Sequence, residues 1–338
     1  MDRNFLPKIN LQSTFGLTHL PIASSYKQSS NGFPRDDEDS FNVINAMVSP
    51  LTNGEQYNIY KFITDLKQDL GIVNLSDMFD CLYVFTSATV SDCYINWAQP
   101  GTYNISLIGT IGSAVGNILW TQGQGFNSTS TANTVSTLNT GFNPAIATAS
   151  NFSGYLTPTG ATLSTVQFSG SYGIYVSKGT LGSQAQFEFG SSTSAGNGTL
   201  LGVWHNQNNN IYYSCMSTTL RQPQGGPGYS MATWQNGGLY SISRKNTVLE
   251  SYFNGTIYEV VGNGTNVVSA NLDHGPFTIC NPNVGNQIGL SVSTNASLAS
   301  VNRVAFAYVG SSEIKPDIIY RRLMEYLRNS GYVNGLPK

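Results

Sequence analysis

Residues 249–260 read LESYFNGTIYEV, two runs of alternating character around one Asn254-Gly255 pair. Asn-Gly takes positive φ at both central turn positions, so it fits a two-residue type I′ turn and predicts a β-hairpin. That turn pairs Phe253 with Thr256, Tyr252 with Ile257, Ser251 with Tyr258 and Leu249 with Val260. One face then offers Leu249, Phe253, Tyr258 and Val260 to a core. The other carries Tyr252 and Ile257 and sets Glu250 against Glu259. Like charges directly opposite each other oppose pairing. Either the register slips, or a cation lies nearby, with Arg244 and Lys245 in range by sequence and a metal as the remaining option.

Working outward, residues 100–312 read as a succession of short strands. VQFSGSYGIYVS, LLGVWHN, IYYSCMST, GLYSISR and VNRVAFAYV are separated by clusters such as NQNNN, QGGPG and QNGG. Many short strands with turn signals argue for an antiparallel sandwich or barrel. A closing helix over 313–330 follows, with Pro316 in its first turn and Ile319, Leu323, Tyr326 and Leu327 on one face. Gly331 ends it.

Upstream, residues 46–99 predict a small helical unit. Phe62, Ile63, Leu66 and Leu70 lie 3, 4, 7 and 11 residues beyond Ile59, which is one helical face. Thr52 or Asn53 caps its start and Gly71 its end. Ser76 is read as the cap of a second, short helix through Met78, Phe79 and Leu82. Residues 1–45 show no sustained period and contain the acidic run Asp36–Asp39. They are expected to form an extended arm that lies on a partner.

Only 10% of the 338 residues are charged and the net charge is −2, while 40% are hydrophobic. Average soluble proteins carry about 25% charged residues. Gly, Asn, Ser and Thr supply the missing polarity, a composition that suits extracellular or particle-borne β proteins. No basic tract points to nucleic acid. No apolar run approaches the roughly 20 residues of a membrane span, and the N-terminus lacks a secretory pattern. Cys81, Cys93, Cys215 and Cys280 are widely spaced and read as free buried thiols rather than a zinc set. Sequons at Asn104, Asn127, Asn254 and Asn263 occur at about the frequency such a composition gives by chance.

The stretch GLYSISRKNTVLESYFNGTIYEVV resembles the central hairpin of concanavalin A-like jelly rolls of the laminin-G/pentraxin type. Tyr252, Asn254 and Gly255 carry the match, and TICNPNV and RVAFAYVGSSEIKPDIIYRRL continue it. A broader resemblance joins the helical lead, INWAQPGTYN, and the pieces Gly125-Phe126-Asn127 and Asn139–Pro144. Their order is similar to that of tailed-bacteriophage virion proteins with a concanavalin A-like domain. It implies a mainly β fold, an antiparallel jelly-roll sandwich over 100–338 with a small helical N-terminal unit and a C-terminal helix. It also implies a structural component of the virion: a fibre, spike or head-surface decoration. Its partners would be other virion proteins and further copies of itself.

Between residues 101 and 312 the only acids are Glu188, Glu250, Glu259 and Asp273. Glycoside hydrolysis needs two carboxylates about 5–10 Å apart flanking the bond, and calcium takes about six to eight oxygen ligands. No nucleophile elbow or phosphate loop occurs. The expectation is therefore a protein without catalytic residues, metal or cofactor. The alternative function is recognition of host-surface glycans through aromatics beside amide-rich turns. Candidates are Trp204, His205, Tyr229, Trp234 and Tyr240, with Trp234 first because the QNGG turn follows it. Tyr212 and Tyr213 lie in the same neighbourhood.

Overall fold

The computed structural model describes residues 36–129, 136–143, 150–152, 169–178, 185–194, 197–204, 210–217, 237–246, 248–261, 275–281, 283–284 and 299–332. Cα proximity separates residues 1–36 from a compact unit spanning Asp37–Lys338. That unit is mainly β, an antiparallel sandwich with helices before and after it. Among the described residues, one sheet has eight strands in the order β12-β11-β10-β6-β15-β4-β3, where β4 is Gly125–Ser128 and β3 is Ile118–Thr121, with β1 also on β15. The other has seven, in the order β2 (Ser106–Ile108), β5 (Thr137–Asn139), β13 (Thr278–Ile279), β7 (Ala185–Ser194), β8 (Asn197–Trp204) and β9 (Asn210–Ser217), with short β14 (Asn283–Val284) parallel to β7.

In the larger sheet, β1 is Phe79–Val84, β6 is Ser169–Lys178, β10 is Gly238–Lys245, β11 is Val248–Phe253, β12 is Thr256–Val261 and β15 is Arg303–Gly310. Its central strands are apolar on both faces. Tyr83, Ile174, Ile242 and Val309 enter the core shared with the second sheet. Leu82, Tyr175, Leu239 and Tyr308 enter a second core beneath the helices. Alternation thus separates two apolar sets rather than inside from outside.

Three helices close that second core: α1 (Glu38–Ala46), α2 (Asn53–Leu70) and α3 (Pro316–Asn329). The face predicted for α2 is the one it buries, Ile59, Phe62, Ile63, Leu66 and Leu70. A capping box joins Thr52 and Glu55, and Gly71 ends the helix at φ 70°. Helix α3 starts at Pro316 and buries Ile319, Leu323, Tyr326 and Leu327. Phe62, Trp97 and Tyr326 meet at ring-centroid distances of 5.3–5.9 Å, mostly edge to face.

Two local readings are corrected. Residues 38–45 belong not to an extended arm but to α1. Asp37 caps that helix, its carboxylate accepting from the Ser40 N–H at 2.8 Å. Asp37 and Asp39 both pair with Lys67 on α2, at 2.6 and 2.9 Å. Phe79 and Leu82 lie in strand β1, and only Leu75–Asp77 before them forms a helical turn, of 3₁₀ type. Every residue of β1 is buried. A segment covered on both faces lacks the wet positions that distinguish a strand from a short helix in sequence.

At Asn254 and Gly255, φ is 50° and 82°, as a type I′ turn requires. Phe253 faces Thr256 and Tyr252 faces Ile257 as predicted, and then a bulge shifts the register. Ser251 meets Glu259 and Glu250 meets Val260, so the two glutamates are no longer opposed. The same slip removes Val260 from the core side: Ile257 and Val260 are 53% and 54% exposed. Gly255 also lies under α3, where an added Cβ would sit 2.4 Å from the Asp317 Cα. Gly255→Ala should therefore cost about 1–3 kcal/mol through the positive φ alone, and more through the contact with α3. Urea unfolding of this variant beside an alanine substitution at exposed Ile257 checks it. Equal stability of the two would show that the turn does not position α3.

Candidate functional site

The carboxylates of the hairpin are the first groups to place. Glu250 accepts a short hydrogen bond from the Tyr252 hydroxyl, and Glu259 accepts one from Tyr213 of β9 (Asn210–Ser217). Glu250 pairs with exposed Val260, whereas Glu259 pairs with buried Ser251. The bulge has put the two on opposite faces of the hairpin. Lys245 reaches Glu313 at 2.5 Å. Arg244 is fully buried and donates to the carbonyl of Cys215 at 2.8 Å, tying β10 to β9 across the sandwich.

Glu188 sits on β7 (Ala185–Ser194) and is fully buried. Its Oε1 accepts from the Ser300 hydroxyl and the Asn302 amide, both at 2.6 Å. Its Oε2 has no hydrogen-bond partner among the described residues. Burial lifts this carboxyl from its ordinary 4.5 to about 8. Glu188 is walled in by its neighbours rather than presented to a substrate.

The aromatics proposed as glycan contacts fare differently. Tyr240 is buried in the intersheet core, its ring 4.9 Å from Phe253, so it is a packing residue. Inward alternation on β10 puts it there, beside Ile242. Tyr213 is buried likewise. Trp204 ends β8 (Asn197–Trp204), but its side chain lies outside the described residues, as does that of Tyr212. His205, Tyr229 and Trp234 lie outside them altogether. All four cysteines are buried. Burial raises the thiol pKa of Cys81, Cys93 and Cys280, which keeps them unreactive.

The feature that sequence reading missed is a groove of about 710 Å³ between α1, the 75–77 turn and the loop 98–104. Asn42, Asn45, Asn74, Gln99 and Asn104 line it with amides, and Glu38 and Asp39 add carboxylates. Asn42 and Asn45 are one turn apart on the exposed side of α1. The loop wall is held by Asn96, which is fully buried. Its Oδ1 accepts from Leu82 N–H at 2.9 Å and Ala98 N–H at 3.1 Å. Its Nδ2 donates to the carbonyls of Asp80 at 2.9 Å and Thr102 at 3.0 Å. Every hydrogen-bonding position of that amide is used. Asn104 Oδ1 accepts from Asn96 N–H at 3.0 Å and Gly101 N–H at 3.1 Å, which leaves its Nδ2 as the donor for the groove. The other wall stands on Asp39, whose carboxylate takes the Leu75 N–H at 2.9 Å. An amide-rich surface of this kind can donate to and accept from hydroxyl groups at several points. The one available sequence signal was the concentration of Asn in N-x-x-N on α1 and in INWAQPGTYN.

No family model and no curated protein matches the chain. Among solved structures it is similar to domain 4 of AbnA, a GH43 extracellular arabinanase of Geobacillus stearothermophilus in complex with arabinotriose. Identity there is 12%, coverage 72% of this chain and 97% of that one, and TM-score 0.36. A botulinum neurotoxin type C structure, described in terms of cell entry and two ganglioside molecules, gives 14% identity, 74% and 52% coverage, and 0.42. Trypanosoma rangeli sialidase gives 12%, 79% and 39%, and 0.39. The chain spans about half the length of the toxin chain.

Glu188 gives a pH test. Because its folded pKa is raised, its contribution to stability is full below pH 4.5 and is lost as pH rises to about 8. Glu188→Gln should flatten the wild-type decline across that window in urea unfolding at stepped pH. Parallel wild-type and variant curves would mean that the carboxyl titrates normally.

Proposed function

We propose that this protein is a non-enzymatic structural component of a bacteriophage virion, attached by its N-terminal segment and displaying the sandwich. The observation that supports the non-catalytic part is the bulge at Tyr258. The two hairpin glutamates were the nearest approach in the β zone to a carboxylate pair, and they point to opposite faces, each bound by a tyrosine. Two carboxylates on opposite faces of a sheet cannot flank one scissile bond. The virion assignment rests on the module order around INWAQPGTYN and Asn139–Pro144. The compact unit starting at Asp37 supports an attachment segment of residues 1–36, shorter than the sequence alone suggested.

A second reading, recognition of a host-surface glycan, is favoured by the amide-lined groove. It adds to the first, since a displayed virion component can carry a receptor site. The virion reading is tested by deleting residues 1–36. The truncated protein should fold with an unchanged melting temperature and fail to join particles in a complementation assay. Full incorporation would remove the segment as the anchor.

A further inference from the structure

We infer that the groove between α1 and the loop 98–104 discriminates by charge, taking neutral or amine-bearing glycans and rejecting acidic ones. This rests on reading the groove as a glycan site. Among the described residues its lining contains Glu38 and Asp39 and no lysine or arginine. Asp37 precedes Glu38 as the cap of α1, and Asp77 follows Ser76 in the turn, where it accepts from Asn74 N–H at 2.8 Å. Two carboxylates thus line the groove, and two more are sequence neighbours of its lining residues. Lys67 contacts Asp37 and Asp39 and is already engaged by them.

The N-terminus of a helix ordinarily draws an anion. Here that position on α1 is filled by the chain's own Asp37 carboxylate, hydrogen-bonded to the Ser40 N–H. A sialylated, sulfated or uronate-bearing glycan would bring a further negative charge beside Glu38, with no lysine or arginine among the described lining residues to receive it. Like-charge juxtaposition of this kind excludes a ligand without weakening the contacts made to the accepted one. Neutral hydroxyls meet the amides of Asn42, Asn45 and Asn104. A sugar amine would gain Glu38 as a partner. Since Glu38 is exposed, the discrimination falls with salt, over a screening length of about 10 Å at 0.1 M.

The test is a glycan array with matched pairs, neutral against sialylated or sulfated and chitin against chitosan oligomers. The full-length protein is probed at 0.1 M and 1 M salt. Bound glycans should be neutral or amine-bearing, favoured over acidic counterparts by about tenfold or more at low salt and by less at high salt. Glu38→Gln should narrow that ratio. Asn42→Ala with Asn45→Ala should weaken binding throughout, and a melting curve confirms that this variant is folded. Acidic glycans binding as well as neutral ones, and losing affinity in the double variant, would overturn the charge rule while leaving the groove as the site. Absence of glycan binding, or binding indifferent to the double variant, would overturn the groove reading and this inference with it.

Discussion

The central strands of the larger sheet are buried on both faces, and the rest of the unit follows from that constraint. Strand β15 lies between β6 on one side and β1 and β4 on the other, and Val304–Gly310 are all buried. A strand in that position needs apolar cover above and below. The second sheet supplies one cover and the helices the other. Helix α2 and helix α3 come from opposite ends of the sequence, and they meet over this sheet through Phe62 and Tyr326. Their outer sides are joined by Arg322, which reaches Asp69 at 2.6 Å and Asp65 at 3.1 Å. The helical lead and the closing helix are therefore parts of one layer, although most of the sequence separates them.

Much of this was legible where one face of an element is wet. The spacing of Ile59, Phe62, Ile63, Leu66 and Leu70 fixed α2, because its other side is polar. Asn254-Gly255 fixed the hairpin, because few residue pairs tolerate both dihedrals. Legibility failed at β1, whose two faces enter two cores. It failed also at Tyr258, where the sequence offers no cue to a bulge except the conflict between Glu250 and Glu259. That conflict was real, and a shift of register takes the two glutamates out of direct opposition.

The site was less legible than the fold. Aromatic residues drew attention to 204–240, yet Tyr240 packs on Phe253 inside the sandwich. The candidate groove is made by residues distant in sequence: α1, a 3₁₀ turn and a loop. The acidic run Asp36–Asp39 looked like solvated charge in an arm. Two of its members bind Lys67, and one also holds Leu75, so the run builds a wall of the groove. Spacing along the chain does not report such a meeting of separate segments.

Asn96 gives the groove one further property. With both lone-pair directions and both N–H groups committed to four backbone groups, two on β1 and two on the loop, this side chain has no alternative arrangement of similar energy. The loop it braces includes Tyr103 at φ 55°, a conformation that the surrounding contacts must hold. The wall is thus set before any ligand arrives. Association with it would require displacement of ordered water but little loss of chain entropy, and its speed would be governed by diffusion and dehydration rather than by a conformational step.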